Sequence, residues 1–504
     1  MIDRISARLG SFAGAVALAG LTVVASPLGA QTRPQDRPMT VGQSFLADSL
    51  DPAQGAAGWA LQSHGVGETL FTVARDGRVV PNLARSVVRE GTGFVVELVP
   101  DLRFSDGAPL DAAALMASLA RTMRENPRAR AQTGMLEMAV VDALRLRLQP
   151  ERAVAAIESV LAEFPLVIHR ADGNQFHATG PFRAVEFRRG EFLRLEPNPH
   201  YRVPAARPHV TIRRIGDAQT LALGLESGEI DIAFNLAPET LPRLRQRPGI
   251  TVKSTPVAYQ YMLLLNAAKA PFDDVRVRRA VDLAVERATL VAAVNGGEIA
   301  SGLYPRFFPF ATQTPRATDA AAAAALLDAA GWQRGPNGQR AKGGQPLEIV
   351  LTSYPQRPDL PVLAPVVRAN LERVGFRVRL ESTEAITPQL QAKRFDAAFW
   401  AMHAAPGGDG AFVLEQYVRT GAATNFMSFA SPGVDAAIDA LRKIDAPDAR
   451  NAAVRGIEAQ LFAEAPIVAL MTPVWHVGLS ARATDYVPYP SDYYVVRADL
   501  RQRN

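Results

Sequence analysis

The chain has 504 residues, of which 48% are hydrophobic and 21% charged, a balance typical of a folded, water-soluble protein. Its length exceeds one ordinary hydrophobic core and predicts at least two lobes. The 55 basic residues barely outnumber the 50 acidic ones, and the basic cluster at 127–132 has no interleaved aromatic residues, which argues against nucleic-acid binding. Cysteine is absent, which excludes disulfides, iron–sulfur clusters, thiol catalysis and cysteine zinc sites.

The first thirty residues have the organisation of a secretory signal. Arg4 and Arg8 precede an Ala-rich apolar run that ends in small residues. The run is about 15 residues long, shorter than the about 20 of a membrane span, although an uncleaved anchor is the alternative. We expect residues 1–30 to be removed, by cleavage after Ala30 or Ala25, and the mature chain to be exported and soluble.

The next part of the chain alternates short strands with turns. The Asp-Gly sequence at 75–78 predicts a hairpin, and a turn at 89–93 leads into a strand over 94–98. Asp111 can cap a helix of about twelve residues, whose apolar side chains recur four apart. Residues 178–202 predict two further strands joined at the sequence RRGE.

The segments after residue 216 alternate helices with apolar strands, the order of a parallel-rich α/β sheet. Binding loops of such a sheet follow the carboxyl ends of its strands. The predicted elements are a helix and a short strand within 217–235, a strand at 259–266, helices at 273–294 and 321–332, a strand at 347–354, a helix at 364–376, and strands at 377–382 and 395–401.

The sequence contains no recognisable catalytic set. It lacks a Gly-x-Ser-x-Gly elbow, a Walker A loop and a His-Glu-x-x-His motif. His403 and Asp409 follow the strand at 395–401 and form the alternative hypothesis of a secreted hydrolase, but Pro406 lies between them and no serine nucleophile is indicated. His403 is open to interpretation as a structural histidine or as a ligand contact. We predict neither a metal site nor a cofactor.

Aromatic residues near strand ends are candidates for ligand contact. Tyr259 and Tyr261 lie on one face of a strand, because side chains alternate with a period of two. Each can pack in the core or grip a ligand. Trp400 has the same two interpretations, and Trp59 is included with these candidates.

Several segments of the mature chain carry a family resemblance. None is specific alone, but their joint order and spacing are. The segments are ETLFTVARDGRVVPNLARS (68–86), LRFSDGAPLDAAALMASLART (102–122), ATGPFRAVEFRRGEFLRLEPNPHYR (178–202), ALGLESGEIDIA (222–233), LLLNAAKAPFDDVRVRRAVDLAVERATLV (263–291), ALLDAAGW (325–332) and RFDAAFWAM (394–402). Together they resemble the oligopeptide/dipeptide/nickel-binding family of periplasmic solute-binding proteins of ABC transporters.

The resemblance implies an α/β fold of two lobes with mixed sheets and a hinge, enclosing a ligand when the lobes close. It places lobe 1 at 31–258, completed by 478–504, and lobe 2 at 259–477, with strand crossings near 259–266 and 472–477. It also implies a monomeric binding protein, not an enzyme, that delivers its ligand to an ABC transporter permease.

The resemblance leaves the ligand open between a short peptide and a metal chelate, with peptide as the broader label because most members carry peptides. In the peptide binders an aspartate shortly after the strand resembling 395–401 holds the ligand's amino terminus. This chain has His403 and a neutral AAPGG sequence there, and Asp409 comes later. Without that carboxylate a buried ammonium group would be unpaired.

The segments at 265–271 and 404–412 look closer to the nickel-binding branch, in which arginines pair with the carboxylates of a chelator. Arg128 or Arg130 matches one of these arginines, and Leu166 stands in place of a second. We expect the cleft to be lined by Trp59, Arg128, Arg130, Tyr259, Tyr261, Trp400, His403 and Asp409, the last as a counter-charge.

Overall fold

The computed structural model describes residues 37–503 of the chain. The predicted signal, residues 1–30, lies outside the described residues. Among the helices in the described range, none is long and apolar enough to cross a membrane. Pro38–Asn504 belongs to one compact unit, and the elements below lie within it.

The strands are short and most belong to two large sheets. In chain order they are β1 Met39–Gln43, β2 Phe71–Val73, β3 Val79–Pro81, β4 Ala84–Glu90, β5 Gly93–Leu98, β6 Leu136–Val140, β7 Arg145–Pro150, β8 His169–Asp172, β9 Gln175–Ala178, β10 Phe182–Arg188, β11 Phe192–Pro197, β12 Val210–Arg214, β13 Ile232–Ala233, β14 Thr251–Pro256, β15 Tyr259–Leu265, β16 Glu298–Ile299, β17 Gln333–Arg334, β18 Arg340–Lys342, β19 Gln345–Pro346, β20 Glu348–Ser353, β21 Arg377–Ser382, β22 Ala397–His403, β23 Ile467–Thr472 and β24 Val474–Leu479.

The helices are also mostly short and connect or cover these strands. In chain order they are α1 Ala57–Ser63, α2 Ala112–Glu125, α3 Ile157–Val160, α4 Ala218–Glu226, α5 Leu241–Arg245, α6 Val275–Ala284, α7 Arg287–Ala293, α8 Ala320–Ala329, α9 Asp359–Arg373, α10 Ile386–Gln391, α11 Ala411–Val413, α12 Pro432–Leu441 and α13 Pro447–Glu464.

Two mixed sheets form the framework. A seven-stranded sheet has the order β10-β11-β12-β1-β13-β24-β14, and a six-stranded sheet has the order β16-β23-β15-β22-β20-β21. In the second sheet β20 is parallel to β21 and β22, but β15 is antiparallel to both β22 and β23. The expectation of parallel pairing holds for β20, β21 and β22, whereas it is wrong for β15. β15 follows directly from the other sheet and not from a helical crossover, so nothing requires parallel pairing.

The chain passes twice between the two large sheets, at neighbouring places. β14 ends at Pro256 in the seven-stranded sheet, and β15 begins at Tyr259 in the six-stranded one. On the return, β23 ends at Thr472 and β24 begins at Val474. Every residue of β15 is buried, in agreement with its largely apolar sequence, and the amide of Gln260 donates to the Gly302 carbonyl at 2.9 Å. Two short adjacent crossings give a two-lobed molecule the geometry of a hinge.

Local signals in the sequence predicted most of the turns and caps. The Asp-Gly turn joins β2 to β3, and the turn at 89–93 joins β4 to β5, both as antiparallel hairpins. The carboxylate of Asp111 accepts a hydrogen bond from the Ala114 backbone N–H at 2.8 Å and starts α2. Gly331 and Gly375 follow α8 and α9 with positive φ angles of 87° and 105°, as helix-ending glycines do.

The single helix predicted over 273–294 is wrong: the chain forms α6 and α7, separated by Val285 in an extended conformation. The break allows the Arg287 guanidinium, only 1% exposed, to reach the Ala469 carbonyl at 2.7 Å and the carboxylate of Asp282. A buried arginine needs such partners, and this tertiary requirement overrides the helical pattern.

Two other boundaries differ from the expectation. Helix α9 begins at Asp359 and contains Pro365 as its seventh residue, past the first turn, where the missing backbone N–H removes one hydrogen bond of the helix. Strand β22 continues to His403 because its backbone pairs with Tyr259 of β15. His403 is therefore the last residue of a strand and does not belong to the following loop.

Candidate ligand-binding site

A cavity of about 670 Å³ opens between the two lobes. One wall comes from the segment after β1, from α1, and from Arg128 and Phe164. The facing wall comes from the ends of β15, β20 and β22 and from the chain leading to Phe426. A volume of this size is in the usual range for sites that enclose a small molecule, about 300–1,000 Å³.

Ten of the residues that line the cavity are aromatic. They are Phe45, Trp59, Phe164, Tyr259, Tyr354, Trp400, Phe412, Tyr417, Phe426 and Tyr493. Phe45 stacks on Trp59 with ring centroids 4.6 Å apart, and Trp400 meets Phe426 edge-on at 5.4 Å. Flat rings of this kind bind the apolar body of a ligand and exclude water from charged groups beside them.

Arg128 is the charged group of the inner wall that has no counter-charge among the described residues. It lies in the single turn that follows α2. Its backbone carbonyl accepts a hydrogen bond from the Gln416 amide of the facing wall at 3.3 Å. Burial raises the pKa of Tyr417, and the nearby Arg128 guanidinium opposes that increase. The side chain of Arg128 is thus positioned beside the phenol of Tyr417 and available to an anion.

A second arginine of the cavity, Arg357, is already neutralised. Its guanidinium donates to the carboxylate of Asp492 at 2.8 Å, and that carboxylate also accepts bonds from the Tyr259 hydroxyl at 2.7 Å and the Trp59 indole at 3.3 Å. Asp492 is fully buried. This set of residues, which we call the Asp492 cluster, joins α1, β15, the loop after β20 and the C-terminal segment at the floor of the cavity.

His403 borders the cavity as a neutral side chain. Burial lowers its pKa to about 4. Its Nε2 atom lies 2.9 Å from the Ser491 hydroxyl, whereas its Nδ1 atom has no hydrogen-bond partner among the described residues. A nucleophilic serine needs a histidine that an acid orients through the other ring nitrogen. That orienting contact is missing, and Asp409 is bound elsewhere.

The structure brings five of the eight predicted site residues to the cavity: Trp59, Arg128, Tyr259, Trp400 and His403. Arg130, Tyr261 and Asp409 are not among the residues that border it. The Arg130 guanidinium turns back to the carbonyls of Met123 and Arg124 at the end of α2.

The side chains of Tyr261 and Asp409 likewise bond to other residues of the protein and do not border the cavity. The Tyr261 hydroxyl donates to Asp359 at 2.8 Å within the core. The Asp409 carboxylate accepts two bonds from Arg450, at 2.7 and 2.9 Å, and one from the Ala411 backbone N–H at 2.7 Å. A carboxylate with these three donors is committed to the fold and offers little to a ligand.

The mouth of the cavity carries charges of both signs. Asp48 and Glu384 are exposed acidic residues, one from each lobe, and Arg214 is an exposed basic residue at the end of β12. No ion pair joins these three side chains to other residues in the range 37–503. The Ser44 hydroxyl donates to the Gln356 carbonyl at 3.0 Å and links the two lobes at this point.

Residues Leu414–Val418 form a π-helical turn directly after α11. The turn presents Tyr417 to the cavity and Gln416 to the backbone of Arg128. Glu415 lies on its buried side and accepts bonds from Arg442 at 2.7 Å and Arg419 at 2.8 Å. Such wide turns often occur at functional sites, and here the turn joins one wall of the cavity to the other.

The sequence analysis missed Arg357, Asp492 and Tyr417. Arg357 follows the carboxyl end of β20, where loops of an α/β sheet bind ligands, so its position could have indicated it. Asp492 and Tyr417 carry no comparable local signal: Asp492 lies behind the cavity wall in the C-terminal segment, and Tyr417 borders the cavity through the π-helical turn. In the range 37–503 no group of three or more His, Asp or Glu residues is arranged to hold a metal ion.

Two α/β lobes that enclose an aromatic cavity, joined by paired strand crossings, define the fold of a two-lobed solute-binding protein. Residues 78–425 match the family described as bacterial extracellular solute-binding proteins, family 5. The match spans more than two thirds of the chain, and the chain belongs to this family. It is accordingly a solute-binding protein of an ABC importer and not an enzyme, so the hydrolase hypothesis is not supported.

Individual relatives agree with this assignment. The chain is 28% identical to the nickel-binding periplasmic protein of Escherichia coli K12 over 389 residues, which cover 70% of this chain and 72% of that protein. Its structure is similar to that of NikA from Staphylococcus aureus in complex with Ni(L-His)2, with a TM-score of 0.83, 18% identity, and coverage of 92% and 99% of the two chains.

It is also similar to the oligopeptide-binding protein AppA from Bacillus subtilis in complex with a nonapeptide. The TM-score is 0.76 and the identity 17%, with coverage of 90% of this chain and 97% of that one. At such identities the similarity shows the two-lobed fold, and the chemistry of the bound solute has to be argued from the residues of this cavity.

Proposed function

We propose that this protein captures an anionic solute between its lobes, anchors it through Arg128, and delivers it to the permease of an ABC importer. The observation that carries the proposal is the guanidinium of Arg128, which has no counter-charge among the described residues and lies in a cavity rich in aromatic side chains. Arg128 is half-buried, and a carboxylate or phosphate of the ligand would supply its missing counter-charge through charge-assisted hydrogen bonds.

A metal chelate with carboxylate groups fits this site best. A metal would have to arrive with most of its ligands, because the described residues supply no cluster of three. The inner carboxylates of Asp492 and Asp409 are occupied by Arg357 and Arg450 and are not free to hold an ammonium group. The relatives that bind nickel or its histidine complex support the same class of cargo.

A short peptide is the second candidate, and the charges at the mouth favour it. The exposed carboxylates of Asp48 and Glu384 could receive an ammonium group while Arg128 binds the carboxyl terminus. A peptide would then be bound with its carboxyl end inside. The oligopeptide-binding relative supports this class of cargo.

The remaining parts of the proposal concern organisation and location. Lobe 1 comprises residues 31–258 and 478–504, and lobe 2 comprises residues 259–477. The change of sheet between Pro256 and Tyr259, and again between Thr472 and Val474, supports these limits. Export by the N-terminal signal, a periplasmic location and a monomeric state complete the proposal.

The class of ligand is tested by native mass spectrometry of the protein exported and purified from its own periplasm. A released chelator with nickel, cobalt or zinc, or another polycarboxylate, agrees with the first candidate. A series of peptide masses agrees with the second. A protein that retains no solute and is not stabilised by any anionic solute contradicts the proposal.

The anchor is tested by exchanging Arg128 for glutamine and using Arg130→Gln as the matched control. The two arginines belong to the same short turn, but only Arg128 borders the cavity. Loss of one charge-assisted hydrogen bond costs about 1.5–3 kcal/mol, so Arg128→Gln should weaken binding of the released solute about 10- to 100-fold. Equal affinities of the two variants would remove Arg128 from the site.

A further inference from the structure

Glu163 is a buried acid at the contact between the two lobes. It is only 4% exposed and immediately precedes Phe164 of the cavity wall. Its single hydrogen-bond partner among the described side chains is neutral: the amide of Gln132 donates to Oε1. An ionised carboxylate in this position would be buried without a cation.

The burial of Glu163 depends on the facing lobe. The loop after β22 passes over the segment from Ser159 to Glu163 so closely that a Cβ atom on Gly407 would lie 2.2 Å from the Ser159 carbonyl oxygen and 3.2 Å from Cγ of Glu163. Nearby, the Gln416 amide reaches the Arg128 carbonyl, and Arg89 pairs with Asp445 at 2.9 Å. These contacts come together only when the two lobes meet.

The charged groups around Glu163 are already paired with one another. The titratable groups of the packed elements are Asp409, Glu415, Arg419, Arg442, Arg450 and Tyr493. Asp409 is neutralised by Arg450, and Glu415 by Arg419 and Arg442. Burial raises the pKa of Glu163 well above its usual value, and the negative charges of Asp409 and Glu415 raise it further.

We propose that Glu163 couples lobe closure to the uptake of one proton from solvent, so that the cleft closes more readily as the pH falls. The inference rests on the proposed hinged capture of a ligand and assigns a regulation to it. With the lobes apart, Glu163 is hydrated and ionised at neutral pH; with the lobes together, it is a neutral acid bonded to Gln132. Between the two pKa values the closed-to-open ratio changes about tenfold per pH unit.

The absence of cysteine makes a direct measurement simple. Two cysteines introduced as Glu191→Cys and Glu372→Cys, both at exposed positions of different lobes, carry spin labels for distance measurement by pulsed electron resonance. The distance distribution is recorded without ligand from about pH 8 to about pH 5. The same labels are placed in Glu163→Gln and in the matched control Glu158→Gln, five residues earlier in the same segment.

We expect the short-distance population of the parent protein and of Glu158→Gln to increase as the pH falls. In Glu163→Gln this population should be large at every pH, because a neutral amide replaces the acid. Glu163→Met serves the same purpose if the glutamine variant does not fold. A parent protein without pH dependence, or a Glu163 variant that follows the parent, overturns the proposal.

The same distance measurement with added ligand distinguishes a failure of this proposal from a failure of the proposed function. The Ni(II)–histidine complex, bound by a relative, and the solute released from the native protein are each added to the labelled protein. Closure on addition of either ligand, in a parent protein whose distances without ligand do not depend on pH, defeats the proton coupling alone. Distances that change with neither ligand nor pH defeat hinged capture itself.

Discussion

Two buried carboxylates lie beside the same cavity, and their surroundings give them opposite states. Asp492 accepts hydrogen bonds from Arg357, Tyr259 and Trp59, so a full cation compensates its charge. Glu163 accepts one bond from a neutral amide and faces two further acids. Burial alone therefore does not decide ionisation, and the partners supplied by neighbouring elements do. The first carboxylate fixes the floor of the cleft, and the second responds to its closure.

The most severe test of this contrast is Asp492→Asn. It leaves the Arg357 guanidinium buried without a counter-charge, and breaking a buried ion pair costs about 3–5 kcal/mol of unfolding free energy. Urea unfolding measures the loss. Asp499→Asn removes the partner of Arg497 at an exposed position and should cost less than about 1 kcal/mol. A loss in Asp492→Asn as small as in this control would mean that the cluster contributes little.

Glu163→Gln should, in contrast to Asp492→Asn, increase the free energy of unfolding at neutral and high pH. The folded protein raises the pKa of Glu163 above 4.5, so the unfolded chain ionises first as the pH rises. The contribution of Glu163 to the stability of the parent protein therefore decreases as the pH rises above 4.5, and the variant lacks this decrease. Chemical unfolding at several pH values should find the variant increasingly more stable than the parent towards high pH. Parallel curves for the two proteins would contradict an unusual state of Glu163.

Gly407→Ala breaks the contact that buries Glu163 and leaves the Asp492 cluster untouched. The added methyl group would collide with the Ser159 carbonyl, and overpacking of this kind costs about 1–3 kcal/mol. We expect the cost in the closed form, and hence a 5- to 100-fold loss of ligand affinity, about the equivalent of that energy. Gly433→Ala is the control, since nothing lies within 4 Å of its added carbon. Unchanged affinity in Gly407→Ala would separate this contact from closure.

Trp59→Phe makes the smallest change, because it removes the longest of the three hydrogen bonds to Asp492 and keeps a ring beside Phe45. The expected loss is about 0.5–1.5 kcal/mol, measured by the same unfolding experiment. A loss as large as that of Asp492→Asn would show that the indole, and not the guanidinium, compensates the carboxylate.

Much of the fold could be predicted because its signals are local. Asp-Gly turns, the Asp111 cap and the glycines after α8 and α9 each act within a few residues. The break between α6 and α7 could not be predicted, since it serves contacts of Arg287 with a distant strand. The direction of β15 could not be predicted for a similar reason, because it depends on where the chain enters the sheet.

The residues of the candidate site show the same difference between local signals and contacts with distant residues. Arg128, Trp400 and His403 were indicated by resemblance or by position after a strand, and they border the cavity. Asp409 was expected there as a counter-charge, but Arg450, 41 residues away, binds it. No local sequence pattern indicates such a partner. Sequence reasoning proposes which side chains are suited to a ligand, whereas the packing decides which of them are already used.

The π-helical turn at Leu414–Val418 holds one more residue than an α-helical turn would need. Loss of a single codon there would restore ordinary winding and rotate Tyr417 by about 100° about the helix axis, away from Arg128. Gln416 would leave the opposite wall at the same time. One small deletion would thus remove two contacts that this turn makes with the cavity while leaving both large sheets in place.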